Sequence, residues 1–171
     1  SRLSMPDDPA ISELATALVG ELNRNNKAVA TAESCTGGWI AKALTDVPGS
    51  SGCFGYGIVS YSNGAKESIL GVENRTLVEH GAVSEPVVRE MAEGTLRLSG
   101  ADISVAVSGV AGPDGGNDEK PVGTVWFAWS MRGPRGITTD TDLQRFEGNR
   151  ESVRMQTVIH GLKGVRGRLP T

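Results

Sequence analysis

The chain has 171 residues, of which 38% are hydrophobic and 22% charged, and its formal net charge at pH 7 is −3. This length suits one domain with a full hydrophobic core, and the composition is typical of a globular protein. The slightly negative charge gives no broad attraction to nucleic acid or anionic lipid, and no apolar run approaches the roughly 20 residues of a membrane span. We therefore expect a cytoplasmic protein with no nucleic-acid or membrane partner.

The cysteine pattern argues against a metal or disulfide framework. Cys35 and Cys53 form no C-x-x-C pair and have no histidine cluster beside them, so we expect no metal and no cofactor. Residues 1–9 are expected to be a disordered or appended N-terminus, and residues 10–168 to form one domain.

The first half of the chain shows helix-like and strand-like apolar spacing in alternation. A polar, glycine-containing turn over residues 34–38 separates the first predicted strand from the second helix. The predicted elements are a helix over 11–22, a strand over 27–31, a helix from 39 to about 45, a strand over 54–61, a helix over 63–70 and a loop over 74–81.

In the second half, Ser84 followed by Glu85 and Pro86 is typical of a helix start. The remaining elements are a strand over 102–107, a glycine-rich loop over 108–116, strands over 124–130 and 137–146 joined by a turn, and a last helix capped by Asn149. The order α-β-α-β-α-α-β-β-β-α predicts an α/β fold: a single three-layer α/β/α domain with a mixed, mostly parallel sheet.

Polar turns follow three predicted strands, after Thr31, Tyr61 and Val107. In an open α/β sheet such turns converge on one crevice outside the carboxyl ends of the strands. The first turn carries Ser34, which is predicted to be a hydroxyl nucleophile with an oxyanion site formed by N–H groups near residues 36–38. The alternative is that a hydroxyl of this turn only caps the helix and the glycines permit close packing.

A serine attacks a carbonyl group only when a base removes its proton. His80 and His160 lie at positions typical of structural histidines, so Lys66 is the candidate base for a Ser34–Lys66 pair. Partial burial would lower the pKa of Lys66 for this role, and the alternative is a solvated helix lysine. Ser108 begins the third turn and supplies another hydroxyl.

Three further groups have competing interpretations. Cys35 is a rival nucleophile or a small buried residue. Glu33 orients Lys66 or a substrate hydroxyl, or is a surface charge. Arg145 and Arg150 flank the start of the last helix, where they suit a phosphate group or form surface ion pairs.

Five segments in order resemble the CinA C-terminal domain family, whose enzymatic members are nicotinamide-nucleotide amidohydrolases. The resemblance runs from about residue 11 to the last helix and is carried by residues 32–38, 44–51, 61–66, 80–84 and 109–113. It implies hydrolysis of nicotinamide mononucleotide to nicotinic acid mononucleotide and ammonia.

The resemblance also implies roles for individual residues. Ser34 falls on the nucleophile and Lys66 on the family's lysine, with Tyr61 beside it; Ser108 replaces a threonine, and Arg145 matches an arginine near the substrate. The other expected substrate contacts are Glu33, Thr36, Gly37, Gly38, Asn63, Gly109, Gly112, Asn149 and Arg150.

Two departures from the family pattern carry expectations of their own. Tyr56 stands where the family tends to have glycine, a change that would narrow the pocket if its side chain faces the pocket. The second domain of longer CinA proteins is missing from this sequence, so a homo-oligomer, with a dimer favoured, is expected.

Two rival functions remain open at this point. One is a catalytically idle nucleotide-binding or protein-interaction module with the same fold, and the other is an amidase for a different small amide. A Ser34–Lys66 hydrogen bond would favour an enzyme, whereas a Lys66 side chain in solvent would favour the module.

Overall fold

The computed structural model describes residues 9–170. In that range the α-helices are α1 Pro9–Arg24, α2 Trp39–Thr45, α3 Asn63–Leu70, α4 Asn74–His80, α5 Glu85–Ser99 and α6 Arg150–Gly167. The strands are β1 Val29–Glu33, β2 Phe54–Val59, β3 Ile103–Gly109, β4 Thr124–Gly133 and β5 Gly136–Arg145, and a 3₁₀ turn covers Ser50–Gly52.

The strands form one sheet in the order β2-β1-β3-β4-β5. β1 pairs in parallel with β2 and β3, and β4 pairs antiparallel with both β3 and β5. Four of the five strands therefore point the same way, and β4 alone is reversed. The predicted mixed, mostly parallel sheet with a late hairpin is confirmed.

Helices cover both faces of the sheet, as the predicted three-layer architecture requires. α1, α2 and α6 pack together on one face, and α3 and α4 pack against α5 on the other. Alternate residues of β3 point to opposite sides: Val105 and Val107 join the core under α1, α2 and α6, and Ala106 joins the core under α5.

The prediction of a loop over residues 74–81 is wrong, because residues 74–80 form α4. Its amino end is capped from a distance: Glu90 of α5 accepts hydrogen bonds from the backbone N–H of Glu73 at 2.8 Å and from the hydroxyl of Thr76 at 2.7 Å. A cap supplied 14 or more residues further along the chain leaves no local start signal, which is why pattern reading missed this helix.

Two strand boundaries also differ from the prediction, and both affect the candidate site. β1 begins and ends two residues later than expected, so Glu33 belongs to the strand and the turn starts at Ser34. β2 ends at Val59, which leaves Ser60 and Tyr61 in the connection to α3.

Gly94 allows α5 to lie directly against the carboxyl end of α3. A Cβ atom at position 94 would fall 1.9 Å from the carbonyl oxygen of Leu70, so no other residue fits without a shift of the helix. This contact holds α3, the helix that carries Lys66, against α5.

Some expectations fall at the edges of what the structure describes. The expected disordered or appended N-terminus, residues 1–9, lies outside the described residues except for Pro9, which is the first residue of α1. In the part of the chain from residue 9 to residue 170, no helix is both long and apolar enough to span a membrane. No group of three or more His, Cys, Asp and Glu side chains in that range is arranged to hold a metal ion.

Candidate active site

A cavity of about 320 Å³ opens at the carboxyl ends of β1 and β3, where the three polar turns meet. The predicted site residues that line it are Ser34, Tyr61, Asn63, Lys66, Ser108, Gly109, Gly112 and Arg150. Glu33, Thr36, Gly37, Gly38, Arg145 and Asn149 were predicted as well, but they are not among the lining residues. The sheet therefore brings one member or more of each predicted turn to the same cavity.

Ser34 and Lys66 are in direct contact at the bottom of the cavity. Lys66 is 1% exposed and its Nζ lies 3.0 Å from Ser34 Oγ. The same Nζ donates to the carbonyl oxygens of Ser60 at 2.8 Å and Tyr61 at 3.3 Å. The lysine is thus a buried group held on three sides, and not the solvated helix lysine of the alternative interpretation.

The surroundings of Lys66 disfavour its charged form. Burial lowers the pKa of Lys66 below its ordinary value, since removal from water penalises the ammonium ion. Cys35 acts weakly in the opposite direction. A larger fraction of neutral amine is therefore present than for a lysine in solvent.

Of the two interpretations of Cys35, a rival nucleophile or a small buried residue, the structure favours the small buried residue. Burial raises the pKa of its thiol to about 12, and the nearby Glu33 carboxylate adds to this shift. At neutral pH the sulfur stays protonated, and a thiol is a far weaker nucleophile than a thiolate.

Glu33 is neither a surface charge nor a group that contacts Lys66. It is fully buried at the end of β1 and accepts hydrogen bonds from the backbone N–H groups of Ile40 at 2.8 Å and Ala41 at 2.9 Å, and from the Thr36 hydroxyl. Burial raises the pKa of this carboxyl, and those hydrogen bonds oppose the rise. Glu33 therefore caps the amino end of α2, the function that sequence reasoning offered as an alternative for Ser34 or Thr36.

The predicted oxyanion donors near residues 36–38 are mostly occupied elsewhere. The N–H of Gly37 donates to the carbonyl oxygen of Ser34 at 3.1 Å, and the N–H of Gly38 faces Glu33. Both glycines have positive φ angles, +62° and +105°, which explains their presence in this turn better than substrate contact does.

Tyr61 contacts Lys66 through its backbone rather than through its ring. Its side chain is 61% exposed, and its hydroxyl accepts a hydrogen bond from Arg150 Nη2 at 3.2 Å. Arg150 also donates from Nη1 to the carbonyl oxygen of Gly112 at 2.6 Å. Arg150 thereby links two walls of the cavity, and the surface ion pair suggested as its alternative is not what it forms.

Ser108 and Asn63 lie where a bound molecule can reach them. The Ser108 side chain is 1% exposed, and its hydroxyl has no hydrogen-bond partner within residues 9–170. Asn63 is the first residue of α3 and lines the cavity, while the neighbouring Ser62 caps that helix by accepting from the Ala65 N–H at 3.1 Å.

Three predicted residues lie away from the cavity wall. Arg145 is an exposed side chain at the end of β5 and donates to the carbonyl oxygen of Glu119 at 3.4 Å. Asn149 caps α6 by accepting from the Ser152 N–H at 2.9 Å. Tyr56 lies in β2 and does not line the cavity, so it does not narrow the cavity.

The histidines have the structural positions expected of them. His160 in α6 bonds to Asp142 at 2.7 Å and packs against the ring of Phe127, with centroids 4.5 Å apart. His80 is the last residue of α4, and its carbonyl oxygen accepts from Lys120 Nζ at 2.7 Å.

Sequence reasoning missed two residues near the site. Asp114, from the glycine-rich loop, lines the cavity. Arg154 donates to the carbonyl oxygens of Cys35 at 3.0 Å and Thr36 at 2.9 Å. The signal for Arg154 was its spacing of four from Arg150, which puts both arginines on one face of the last helix.

The fold and the cavity define a class: a three-layer α/β domain with a serine–lysine contact at the carboxyl end of its sheet. The model of the CinA C-terminal domain matches residues 11–169, and the chain belongs to that family. It is 49% identical over 156 residues to nicotinamide-nucleotide amidohydrolase PncC of Escherichia coli, with 91% of this chain and 93% of that protein covered. Identity to PncC of Pseudomonas putida is 52% over 158 residues, covering 92% and 96%.

Solved structures agree with the sequence comparison. The crystal structure of competence/damage inducible protein CihA from Agrobacterium tumefaciens is similar with a TM-score of 0.90 at 40% identity, and 98% of each chain is covered. The predicted family and fold are therefore confirmed.

Proposed function

We propose that this protein hydrolyses the carboxamide of nicotinamide mononucleotide to nicotinic acid mononucleotide and ammonia, with Ser34 as nucleophile and Lys66 as base. The substrate is inferred from the amidohydrolases to which nearly the whole chain is similar. The observation that carries the mechanism is the buried Lys66 Nζ at 3.0 Å from Ser34 Oγ.

The three partners of Lys66 suit a neutral amine. Such an amine has two N–H groups and one lone pair, and the carbonyl oxygens of Ser60 and Tyr61 accept the two hydrogens. The lone pair then faces Ser34 Oγ and can accept its proton, as a general base must. The backbone of the β2–α3 connection thereby orients the base.

The reaction balances with water as the only co-reactant. Lys66 takes the hydroxyl proton while Ser34 Oγ attacks the carboxamide carbon, and the carbonyl oxygen becomes an oxyanion. The protonated Lys66 then gives that proton to the departing nitrogen, which leaves as ammonia, and an ester remains on Ser34. Lys66 next takes a proton from water, the resulting hydroxide attacks the ester, and the acid is released as Ser34 regains its proton.

The cavity also offers groups for the remainder of a nucleotide. Among the described residues that line the cavity, Arg150 is the only arginine, so it is the group we assign to the phosphate. Ser108 and Asn63 supply hydrogen-bonding groups beside the reacting amide or the ribose. Arg145, which the family resemblance favours, would need to swing from its contact with Glu119 to take part.

Ammonia release from nicotinamide mononucleotide tests this proposal, with Ser34→Ala and Cys35→Ala as a matched pair of neighbouring substitutions. We expect Ser34→Ala to lower kcat by at least about 10³-fold, because covalent catalysis is lost. Cys35→Ala should keep most of the activity. A Ser34→Ala enzyme with near wild-type turnover would show that the nucleophile is another group.

The substrate is tested separately with a panel of small amides. Wild-type release of ammonia from another amide, and none from the nucleotide, would support an amidase of different specificity. Release from no amide at all would support the idle module. A homo-oligomer, which sedimentation equilibrium would detect, and a cytoplasmic location are still predictions.

A further inference from the structure

We propose that Arg154 is a positioning residue for amide hydrolysis, which it serves by holding the turn after Ser34 so that the N–H groups of Cys35 and Thr36 form the oxyanion site. This inference rests on the proposed function of Ser34. It assigns a catalytic consequence to a side chain on α6 that does not line the cavity.

Arg154 holds two successive carbonyl groups of the turn. Its Nε donates to the carbonyl oxygen of Cys35 at 3.0 Å, and its Nη2 donates to that of Thr36 at 2.9 Å. The guanidinium also lies 5.6 Å from the centre of the Trp39 ring. A planar fork with two fixed donors restrains two peptide planes at once, which a single ammonium group does less well.

The first of these, the peptide plane between Cys35 and Thr36, determines where the Thr36 N–H points. In a planar trans peptide the C=O and the following N–H point in opposite directions. Because the Cys35 carbonyl is turned to Arg154, the N–H of Thr36 is turned away from Arg154.

The second, the peptide plane between Thr36 and Gly37, orients the Cys35 N–H through one further hydrogen bond. With the Thr36 carbonyl held, the N–H of Gly37 points away from Arg154 and donates to the Ser34 carbonyl at 3.1 Å. The Ser34 carbonyl is thereby fixed in turn, and the Cys35 N–H must point the opposite way. Gly37 has φ +62°, a conformation that lets this turn close.

Two successive N–H groups, those of Cys35 and Thr36, consequently have no backbone acceptor within residues 9–170. In that part of the chain, the Thr36 N–H has no hydrogen-bond acceptor, and the Cys35 N–H faces only the sulfur of its own side chain, a weak acceptor. Cys35 follows the nucleophile directly and lines the cavity. Consecutive N–H groups of this kind form a small anion-binding concavity, and an oxyanion is a much stronger acceptor than a thiol sulfur.

The test measures the reactivity of Ser34 in addition to turnover. A small fluorophosphonate ester reacts with an activated serine through an oxyanion-like transition state and needs no nicotinamide. We compare wild type, Arg154→Met, Arg154→Ala, Arg154→Lys and, as a matched control, Arg166→Met. Arg166 lies on the same helix but pairs with Glu21 at 2.7 Å, remote from the turn.

Loss of well-oriented oxyanion donors costs about 10²–10³-fold in kcat. We expect Arg154→Met to lose about that much in both kcat and the rate of Ser34 labelling, with KM for nicotinamide mononucleotide changed less than about threefold. For Arg154→Lys, both rates should lie between those of wild type and those of Arg154→Met. Arg166→Met should react like wild type. Added guanidinium ion should restore part of the labelling rate of Arg154→Ala.

Each outcome bears on one proposal. Labelling of Arg154→Met at the wild-type rate, or a loss confined to KM, would overturn the role of Arg154. If Arg154→Met does not fold, Arg154→Lys decides by the same criteria, since it keeps the charge and most of the packing. Absence of Ser34 labelling in wild type would instead overturn Ser34 as nucleophile. Labelling without hydrolysis of the nucleotide would overturn only the substrate, and the Arg154 comparison would still stand.

Discussion

Two pockets at opposite ends of the sheet use similar side chains in different ways. The active-site cavity lies at the carboxyl ends of β1 and β3, and a second pocket of about 160 Å³ lies beyond their amino ends. Lys27, Asp102, Arg132 and Arg168 line that second pocket, which we call the far pocket. Both are rich in charged groups, so charge alone does not distinguish them.

In the far pocket, the charged groups hold the fold together. Asp102 accepts a hydrogen bond from the Ala28 N–H at 2.8 Å, which ties together the starts of two neighbouring strands. Arg132 donates to the carbonyl oxygens of Ala101 at 3.0 Å and Leu96 at 2.8 Å, near the carboxyl end of α5. These partners are fixed backbone groups, so the contacts favour stability and leave little for a ligand.

In the candidate active-site cavity, Lys66 differs by its burial: it is 1% exposed, whereas Arg132 in the far pocket is exposed. Within residues 9–170 no carboxylate forms an ion pair with its amine, and its partners are two carbonyl oxygens and the Ser34 hydroxyl. A buried charge without a counter-charge is costly, and neutralisation of the group relieves the cost. The comparison teaches that burial of a cation without a counter-charge, more than the presence of a cation, distinguishes the candidate active site from the far pocket.

The largest expected effect comes from replacing Lys66, since this removes the difference between the two pockets. As general base it should contribute about 10²–10⁴-fold to kcat. Lys66→Met should lose that factor, and Lys66→Arg should fail nearly as badly because a guanidinium has no accessible neutral form. Steady-state kcat on nicotinamide mononucleotide checks both, and an active arginine variant would contradict the Ser34–Lys66 mechanism.

The pH profile sharpens the same prediction. Only the neutral amine accepts the serine proton, so kcat/KM should rise with pH and level off above the pKa of Lys66. Because burial lowers that pKa, the midpoint of the rise should lie below the value of an exposed lysine. A rate that falls as pH rises through this range would assign the limb to a different group.

A smaller effect is expected from the cation at the cavity wall. Removal of one arginine–phosphate contact typically costs about 1.4 kcal/mol or more, which is tenfold in affinity. Arg150→Met should raise KM for nicotinamide mononucleotide about tenfold and change KM for nicotinamide riboside, which lacks the phosphate, much less. Arg145→Met is measured in parallel. A larger rise in KM for that variant would assign phosphate binding to Arg145, at the end of β5, instead of Arg150.

Much of this site was readable from the sequence, for a physical reason. Ser34, Lys66 and Ser108 each follow a strand in the predicted order, and parallel strands place such turns at one edge of the sheet. Helices could be predicted where a local capping residue marks their start, as Ser84 does for α5. Family resemblance added the roles, which spacing alone left open.

What pattern reading missed depends on contacts between distant residues. The cap of α4 comes from Glu90, and the restraint on the turn after Ser34 comes from Arg154, which is 118 residues away from Thr36 in sequence. Glu33 was misplaced because a two-residue shift of β1 moves a side chain from a turn into a strand and buries it. Its carboxylate then serves a helix end that only the folded chain brings near.

The smallest expected effect tests the far pocket, and its direction is opposite to that of Lys66. Arg132→Met removes two hydrogen bonds to carbonyl groups near the end of α5, and these contribute about 1 kcal/mol at a partly exposed site. For a domain of this size such a loss lowers the melting temperature by about 2–4 °C. Because the far pocket lies at the other end of the sheet, kcat and KM should stay at wild-type values at a temperature well below the transition. Calorimetry and steady-state kinetics on the same preparation check the two halves of this prediction. A variant with unchanged stability and reduced kcat would show that the two pockets are coupled, and the distinction between a charge that stabilises and a charge that reacts would then fail for this fold.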